Sequence, residues 1–222
     1  MGTLFLSGGG NEKQTIILDR MFVNEIDKEK PLLYIPIAMD EADYNDCFNW
    51  IRRVFIPLGI ENIVLWSSVN NKCMEDLNDF SAIYIGGGNT FMLLKKMKDS
   101  KFYRLLRRYI NNGGIVYGGS AGAIIFGENI MTCAHLDRNT ANVSDFQGMA
   151  MIGKYSVWCH FRKNDEILIN KFMEDFDSPV IALPEETAIF IKDRETKVVG
   201  TEPAYIFTNN GLEIISTGSF TL

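Results

Sequence analysis

Short apolar runs alternate with longer amphipathic segments over the first 130 residues of the chain. The short runs predict buried strands, and the longer segments show the spacing of apolar positions that is typical of helices. Strands that alternate with helices predict β–α–β units and a parallel sheet covered by helices on both faces. The predicted strands are residues 3–6, 31–38, 62–66, 82–85 and 115–117, and the predicted helices are a stretch ending at residue 26 and residues 44–58, 91–97 and 102–111.

The pattern changes after residue 130, where strand-like runs dominate. One clear helix remains, at residues 163–176, and Asn209-Asn210-Gly211 between two apolar runs predicts a β-hairpin. Because no linker, charge run or repeat interrupts the chain, we expect residues 1–222 to form a single α/β domain with a partly antiparallel C-terminal edge. The strand-like runs are residues 155–159, 180–183, 188–191, 197–200, 204–208 and 212–215.

Composition narrows the class of protein. Apolar residues make up 46% and charged residues 23%, which is typical of globular proteins and excludes disordered and fibrous classes. A net charge of -6 disfavours nucleic acid as a partner, and nothing indicates a membrane partner. The four cysteines form no C-x-x-C pair, so we expect no metal site and free thiols in a cytoplasmic protein. No cofactor-binding motif is visible either, so we expect no cofactor.

Three glycine-rich turns follow predicted strands directly, and they are the first indication of a site. They are Gly8-Gly9-Gly10, Gly86-Gly87-Gly88 and Gly118-Gly119. Ligands of open α/β sheets bind beyond the carboxyl ends of the strands, so we expect these turns to meet at one crevice. The first turn is either part of the rim of that crevice or only a tight turn.

Ser120 lies in the third turn, within the pattern G-x-S-x-G. A strand, a tight turn and a helix surround it, which is the setting of a nucleophilic serine; the alternative is close packing of helix on strand. Backbone N–H groups at the start of the following helix, with the positive end of its dipole, would stabilise an oxyanion.

A nucleophilic serine needs a base, and the sequence offers only two histidines. His160 follows an apolar run, at a predicted strand end, so we favour it as the base. His135 lies in a polar stretch and remains the alternative. For the carboxylate that orients the base, the acidic pair Glu185-Glu186 lies between two apolar runs. The order Ser, His, Glu differs from that of the common α/β-hydrolases.

The turn at Gly88 and Asn89 is expected to supply a second oxyanion donor. A phosphate-binding loop is the alternative, but neither G-x-x-x-x-G-K-[ST] nor G-x-G-x-x-G is present.

Five motifs together resemble the peptidase E (aspartyl dipeptidase) and cyanophycinase family of serine peptidases. The resemblance covers most of the chain, and the motifs are SGGG after the first strand, GGGNTF at 86–91, GGSAGA at 118–123, HF at 160–161 and LPEETA at 183–188. It implies a three-layer α/β sandwich similar to class I glutamine amidotransferases, with a mostly parallel central sheet. Those relatives have cysteine where this chain has Ser120, which disfavours glutaminase chemistry.

The resemblance also implies residue roles. Ser120, His160 and Glu185 would form a Ser-His-Glu triad, and the backbone amides of Gly88 and Ala121 would form the oxyanion hole.

The implied substrate is a short peptide with an N-terminal aspartate, whose side chain needs a cation. Candidate substrate-binding residues are Arg162, Arg138 and Asn89, although the family pattern is lost over residues 133–146. Arg162 is alternatively part of a solvated helix start. The other functions considered are a cyanophycinase-like exopeptidase acting on β-aspartyl peptides and a non-catalytic binding protein. We expect a monomer or homodimer.

Overall fold

The computed structural model of the protein describes residues 2–193 and 195–221. Within them the strands are β1 (Thr3–Ser7), β2 (Leu32–Ile35), β3 (Ile63–Leu65), β4 (Ala82–Ile85), β5 (Ile115–Gly119), β6 (Ser156–Cys159), β7 (Val180–Leu183), β8 (Thr187–Lys192), β9 (Glu195–Gly200), β10 (Ala204–Thr208), β11 (Gly211–Ile215) and β12 (Gly218–Phe220). The α-helices are α1 (Ile16–Glu25), α2 (Tyr44–Phe55), α3 (Thr90–Asp99), α4 (Phe102–Asn111), α5 (Ala121–Ile124) and α6 (Glu166–Phe176).

The larger sheet has eight strands in the order β12-β9-β8-β1-β5-β4-β2-β3. Within this order the five neighbouring strands β1, β5, β4, β2 and β3 pair in parallel, as the alternation of strands and helices predicts. β8 joins β1 antiparallel, and β9 and β12 continue that antiparallel edge. The mostly parallel centre with an antiparallel C-terminal edge is therefore confirmed.

The smaller sheet has four strands in the order β11-β10-β7-β6 and does not follow from the sequence pattern. β6 and β7 pair in parallel, and the hairpin of β10 and β11 at Asn209-Asn210-Gly211 is confirmed. The C-terminal strands are thus divided between two sheets, whereas we expected them at one edge. The chain passes from the smaller sheet to the larger in the three residues between Leu183 and Thr187.

Helices cover both faces of the larger sheet, which gives three layers. Alternate residues of β1 face opposite sides: Phe5 joins the core that contains Phe22 of α1 and Phe55 of α2, whereas Leu4 and Leu6 join the core that contains α3, α4 and α5. The predicted helix at 44–58 ends as an α-helix at Phe55, and a 3₁₀ turn at Ile56–Leu58, which contains a proline, completes it. No helix among the described residues is both long and apolar enough to cross a membrane.

Candidate active site

The three glycine-rich turns meet at the carboxyl edge of the parallel strands. Ser7 at the end of β1 is in register with Gly119 at the end of β5, and Ile85 at the end of β4 is in register with Gly118. A cavity of about 280 Å³ opens there and is lined by residues of all three turns. Gly9 and Gly10 are among them, so the first turn is part of the rim.

Ser120 has a backbone conformation that L-residues rarely adopt, with φ 50° and ψ −111°. Its N–H donates to the carbonyl oxygen of Ser7 (3.1 Å), which holds the corner against the neighbouring strand. Close packing requires glycine beside it, because a Cβ atom at Gly118 would lie 2.3 Å from the carbonyl oxygen of Gly122. The helix that follows Ser120 has only one turn, so its dipole is weak. Any stabilisation of an oxyanion by this helix would therefore come from its individual N–H groups.

His160 is the histidine that contacts Ser120. Its Nε2 lies 2.8 Å from Ser120 Oγ, and its backbone N–H donates to the carbonyl oxygen of Gly8 (2.9 Å). The residue directly follows β6, with φ 54°. A Cβ atom at Gly9 would lie 2.3 Å from the imidazole Cε1, so glycine leaves the space that the ring occupies.

Glu185 completes a chain of hydrogen bonds from Ser120. Its Oε1 lies 3.0 Å from His160 Nδ1. The hydrogen bond with His160 holds the pKa of the Glu185 carboxyl below its usual value, against partial burial that raises it; Gln14 and the charge of Arg162 act in the same direction as His160. Glu186, the other member of the acidic pair, instead accepts a hydrogen bond from Thr201 Oγ1.

Gln14 is a site residue that the sequence analysis missed. Its Nε2 donates to Glu185 Oε2 (3.1 Å), and its Oε1 accepts from the backbone N–H of Asn11 (3.0 Å). A single glutamine ahead of a helix carries no recognisable pattern. The only available signal was its position four residues after the first glycine-rich turn.

His135 occupies a different environment. Its Nδ1 lies 2.9 Å from the carbonyl oxygen of Thr132, and its ring stacks on Trp158 with centroids 4.2 Å apart. Burial lowers the pKa of this imidazole. The ring lines a second cavity of about 310 Å³, which shares Gly88, Ser120 and His160 with the first.

Gly88 lines both cavities together with Ser120, and Ala121 directly follows Ser120 in the chain. Among the described residues, neither backbone N–H donates to a protein acceptor. Both are therefore available to a ligand oxygen.

Asn89 has both ends of its side chain occupied by the protein. Its Oδ1 accepts from Met92 N at the start of α3 (2.9 Å), and its Nδ2 donates to the carbonyl oxygen of Arg138 (2.9 Å). Arg138 and Arg162 are exposed, and neither lines the two cavities. Substrate binding by these three residues stays a prediction. Across residues 2–193 and 195–221, no three His, Cys, Asp or Glu side chains are grouped to hold a metal ion.

Comparison with known proteins gives the chain a family. The model of peptidase family S51 matches residues 3–199. Peptidase E of Shewanella denitrificans is 27% identical over 201 residues, covering 86% of this chain and 83% of that protein. Peptidase E of Haemophilus influenzae strain PittGG is 30% identical over 191 residues, covering 82% and 80%.

Solved structures show the same fold. A peptidase from an acI-B1 Actinobacterium superposes with a TM-score of 0.79 at 19% identity, covering 100% of this chain and 97% of that one. A putative peptidase E protein from Listeria monocytogenes EGD-e gives 0.70 at 21% identity, covering 91% and 100%. The resemblance indicated by the five motifs is thus confirmed: the chain belongs to peptidase family S51, and the protein is a peptidase.

Proposed function

We propose that this peptidase hydrolyses short peptides through an acyl-enzyme on Ser120. Ser120 Oγ attacks the scissile carbonyl carbon while His160 Nε2 takes the hydroxyl proton. The protonated imidazole then gives that proton to the leaving amine, and the peptide C–N bond breaks. Water attacks the ester in the same way, with its proton passing to His160 and then to Ser120 as the acid product leaves.

The observation that carries this proposal is the unbroken chain of contacts from Ser120 through His160 to Glu185. A carboxylate can only accept, so the 3.0 Å contact places a hydrogen on His160 Nδ1. Nε2 of the neutral ring is then an acceptor, 2.8 Å from the serine hydroxyl. Glu185 thus holds the tautomer that base catalysis requires and stabilises the imidazolium that forms.

The unengaged N–H groups of Gly88 and Ala121 support an oxyanion hole. As the carbonyl carbon becomes tetrahedral, negative charge develops on its oxygen, and two amide donors in a fixed backbone stabilise it without reorganisation.

For the substrate we propose a peptide with an N-terminal aspartate. The cavities beside Ser120, of about 280 and 310 Å³, each have room for an aspartate side chain. Arg162 lies close enough to lower the pKa of Glu185, so of the two exposed arginines it is the better supported partner for a substrate carboxylate. A dipeptide library that compares Asp-X, Glu-X and neutral N-terminal residues tests this specificity.

The nucleophile is tested by Ser120→Ala. We expect kcat/KM to fall by at least about 10⁴-fold while the fold is kept, because the covalent step is lost. The matched control is Ser67→Ala, since Ser67 is an exposed serine that lines neither cavity beside Ser120. Normal hydrolysis by the Ser120 variant would refute the proposal.

A fluorophosphonate probe separates the proposed enzyme from a non-catalytic binding protein. We expect it to label Ser120 in the unmodified protein, and failure to label would favour the binding protein. A cyanophycinase-like activity remains the second candidate, because the acidic side chain Asp137 lines the cavity of about 310 Å³ and suits an arginine-containing substrate. Cleavage of β-aspartyl-arginine in preference to Asp-X dipeptides would establish it.

A further inference from the structure

The two cavities beside Ser120 differ in charge. Asp137 lines the cavity of about 310 Å³, whereas no aspartate, glutamate, lysine or arginine lines the smaller cavity of about 280 Å³. Asp19 contacts Thr15 of the smaller cavity's lining, but it is only 1% exposed, and both of its oxygens accept hydrogen bonds, one from Thr15 and one from Tyr117. A negatively charged group can therefore enter the smaller cavity without facing a carboxylate.

An aromatic wall bounds the smaller cavity. Trp50 of α2 and Tyr84 of β4 both line it, with ring centroids 6.1 Å apart and ring planes at 66°. Tyr84 in turn stacks on the buried ring of Tyr117, with centroids 4.4 Å apart. Trp50 is only half-buried, so part of its indole remains available for apolar contact with a ligand, while its packing on Tyr84 limits its movement.

The first glycine-rich turn contributes backbone to the same cavity. A Cβ atom at Gly10 would lie 2.8 Å from the carbonyl oxygen of Glu185, so the turn packs closely against the chain there. The backbone N–H of Gly10 donates to no acceptor within residues 2–193 and 195–221. It is thus a free donor that a ligand carboxylate can use.

Charge decides which part of a substrate lies in the smaller cavity. His160 lines both cavities, and in the proposed mechanism its Nε2 gives a proton to the leaving nitrogen. In a dipeptide the terminal carboxylate is two bonds from that nitrogen. The His160 imidazolium attracts this carboxylate, whereas Asp137 repels it from the cavity of about 310 Å³. The leaving residue is therefore favoured in the smaller cavity.

We propose that the smaller cavity receives the leaving residue of the substrate and that Trp50 favours an apolar or aromatic side chain in it. The Gly10 N–H binds the carboxylate of that residue, and its side chain packs on the exposed part of the indole. The inference rests on the proposed function, since it requires the acyl-enzyme on Ser120. Trp50 is a specificity residue and takes no part in making or breaking bonds.

The effect of Trp50 is confined to one half of the reaction. Aspartyl-leucine and aspartyl-glycine give the same acyl-enzyme, because the leaving residue departs before water attacks the ester. A side chain that contacts only the leaving residue alters kcat/KM, which reports acylation, and leaves the rate of deacylation unchanged.

Steady-state kinetics with these two dipeptides test the proposal. We expect the unmodified protein to favour aspartyl-leucine in kcat/KM by about tenfold or more, because the larger side chain buries more apolar surface. Trp50→Ala should lose most of this preference, and Trp50→Phe should retain it because phenylalanine keeps an aromatic ring. Trp66→Phe is the control, since Trp66 lines neither cavity. No preference in the unmodified protein, or an equal fall for both dipeptides in Trp50→Ala, overturns the proposal.

Fluorescence separates this inference from the proposed hydrolysis. In Ser120→Ala protein, aspartyl-leucine should change the indole emission, and the change should be absent from the double variant with Trp50→Phe. Trp66 and Trp158 emit in both proteins, so the difference belongs to Trp50. If the unmodified protein hydrolyses neither dipeptide, the proposed function fails, whereas a Trp50-dependent emission change still supports binding in this cavity. Emission that does not change, or that changes equally in both proteins, refutes the assignment of the cavity.

Discussion

At the scale of single residues, Gln14 contributes to the site through Glu185. The Glu185 carboxylate receives one hydrogen bond from His160 and a second from Gln14 Nε2, so both of its oxygens are held. This carboxylate is partly exposed, and without the second donor it would be free to rotate away from the imidazole. Gln14 is therefore a positioning residue.

Gln14→Met tests this role because methionine keeps the length of the side chain and removes the donor. We expect kcat to fall about tenfold with little change in KM. Gln14 lowers the pKa of Glu185, so its loss raises that pKa, and the acid limb of the kcat/KM profile moves to higher pH. Measurement of the pH–rate profile checks both expectations. Gln147, the other glutamine, is exposed, and Gln147→Met should leave the profile unchanged.

The sequence was most informative about individual residues of the candidate site. The scarcity of histidine directed attention to His160, and the structure places that ring against Ser120. The sequence could not predict the positive φ angles of Ser120 and His160, because non-glycine residues adopt them only when the surrounding fold requires it.

At the scale of elements, a buried carboxylate links α1 to β5. Asp19 of α1 is 1% exposed, and it accepts hydrogen bonds from Thr15 Oγ1 (2.7 Å) and from the phenol of Tyr117 on β5 (3.1 Å). Tyr117 lies three residues before Ser120, so this link fixes the strand that presents the nucleophile. Burial raises the pKa of Asp19 to about 6.

This raised pKa makes stability depend on pH. The folded protein holds the Asp19 proton up to about pH 6, whereas the unfolded chain releases it near the ordinary value of 3.8. Between these values the folded state binds more protons, so its stability falls as pH rises. We expect the unfolding free energy of the unmodified protein to fall by about 2 kcal/mol relative to Asp19→Asn between pH 4 and pH 7. Urea titrations of both proteins measure this, and a constant difference would contradict it.

At the scale of the whole molecule, both sheets contribute to one core. Leu4 and Leu6 of β1 pack in the same cluster as Val157 of β6, Ile181 of β7 and Ile206 of β10. The backbone hydrogen bond from His160 to Gly8 also joins the sheets beside the candidate active site. A shared core favours cooperative unfolding, and we infer that the chain is one domain.

Site-specific fluorescence tests that inference. Trp158 lies in the smaller sheet, whereas Trp50 is on α2 against the larger one. A variant that keeps only Trp158, with Trp50→Phe and Trp66→Phe, should unfold in urea at the same midpoint by fluorescence and by circular dichroism. An earlier fluorescence transition would mean that the smaller sheet unfolds separately.

The sequence did not predict which strands belong to which of the two sheets. The apolar run at residues 180–183 and the next run at residues 188–191 have the same pattern, yet Val180–Leu183 lies in the smaller sheet and Thr187–Lys192 in the larger. Period and composition identify a strand but not its partner, because pairing is decided by contacts distant in sequence. The parallel strands were predictable, since the intervening helices restrict their connections.

The two cavities that flank Ser120 also have a pharmacological consequence. They share Gly88, Ser120 and His160, so one small compound can extend into both while its electrophile meets the serine between them. The parts of the compound that enter the two cavities are its arms. Once the electrophile has reacted with Ser120, each arm is held beside its cavity at high effective concentration. Selectivity among related serine hydrolases then depends on the arms. A primary amine on one arm, directed at Asp137, would distinguish this protein from hydrolases whose corresponding recess has no acid.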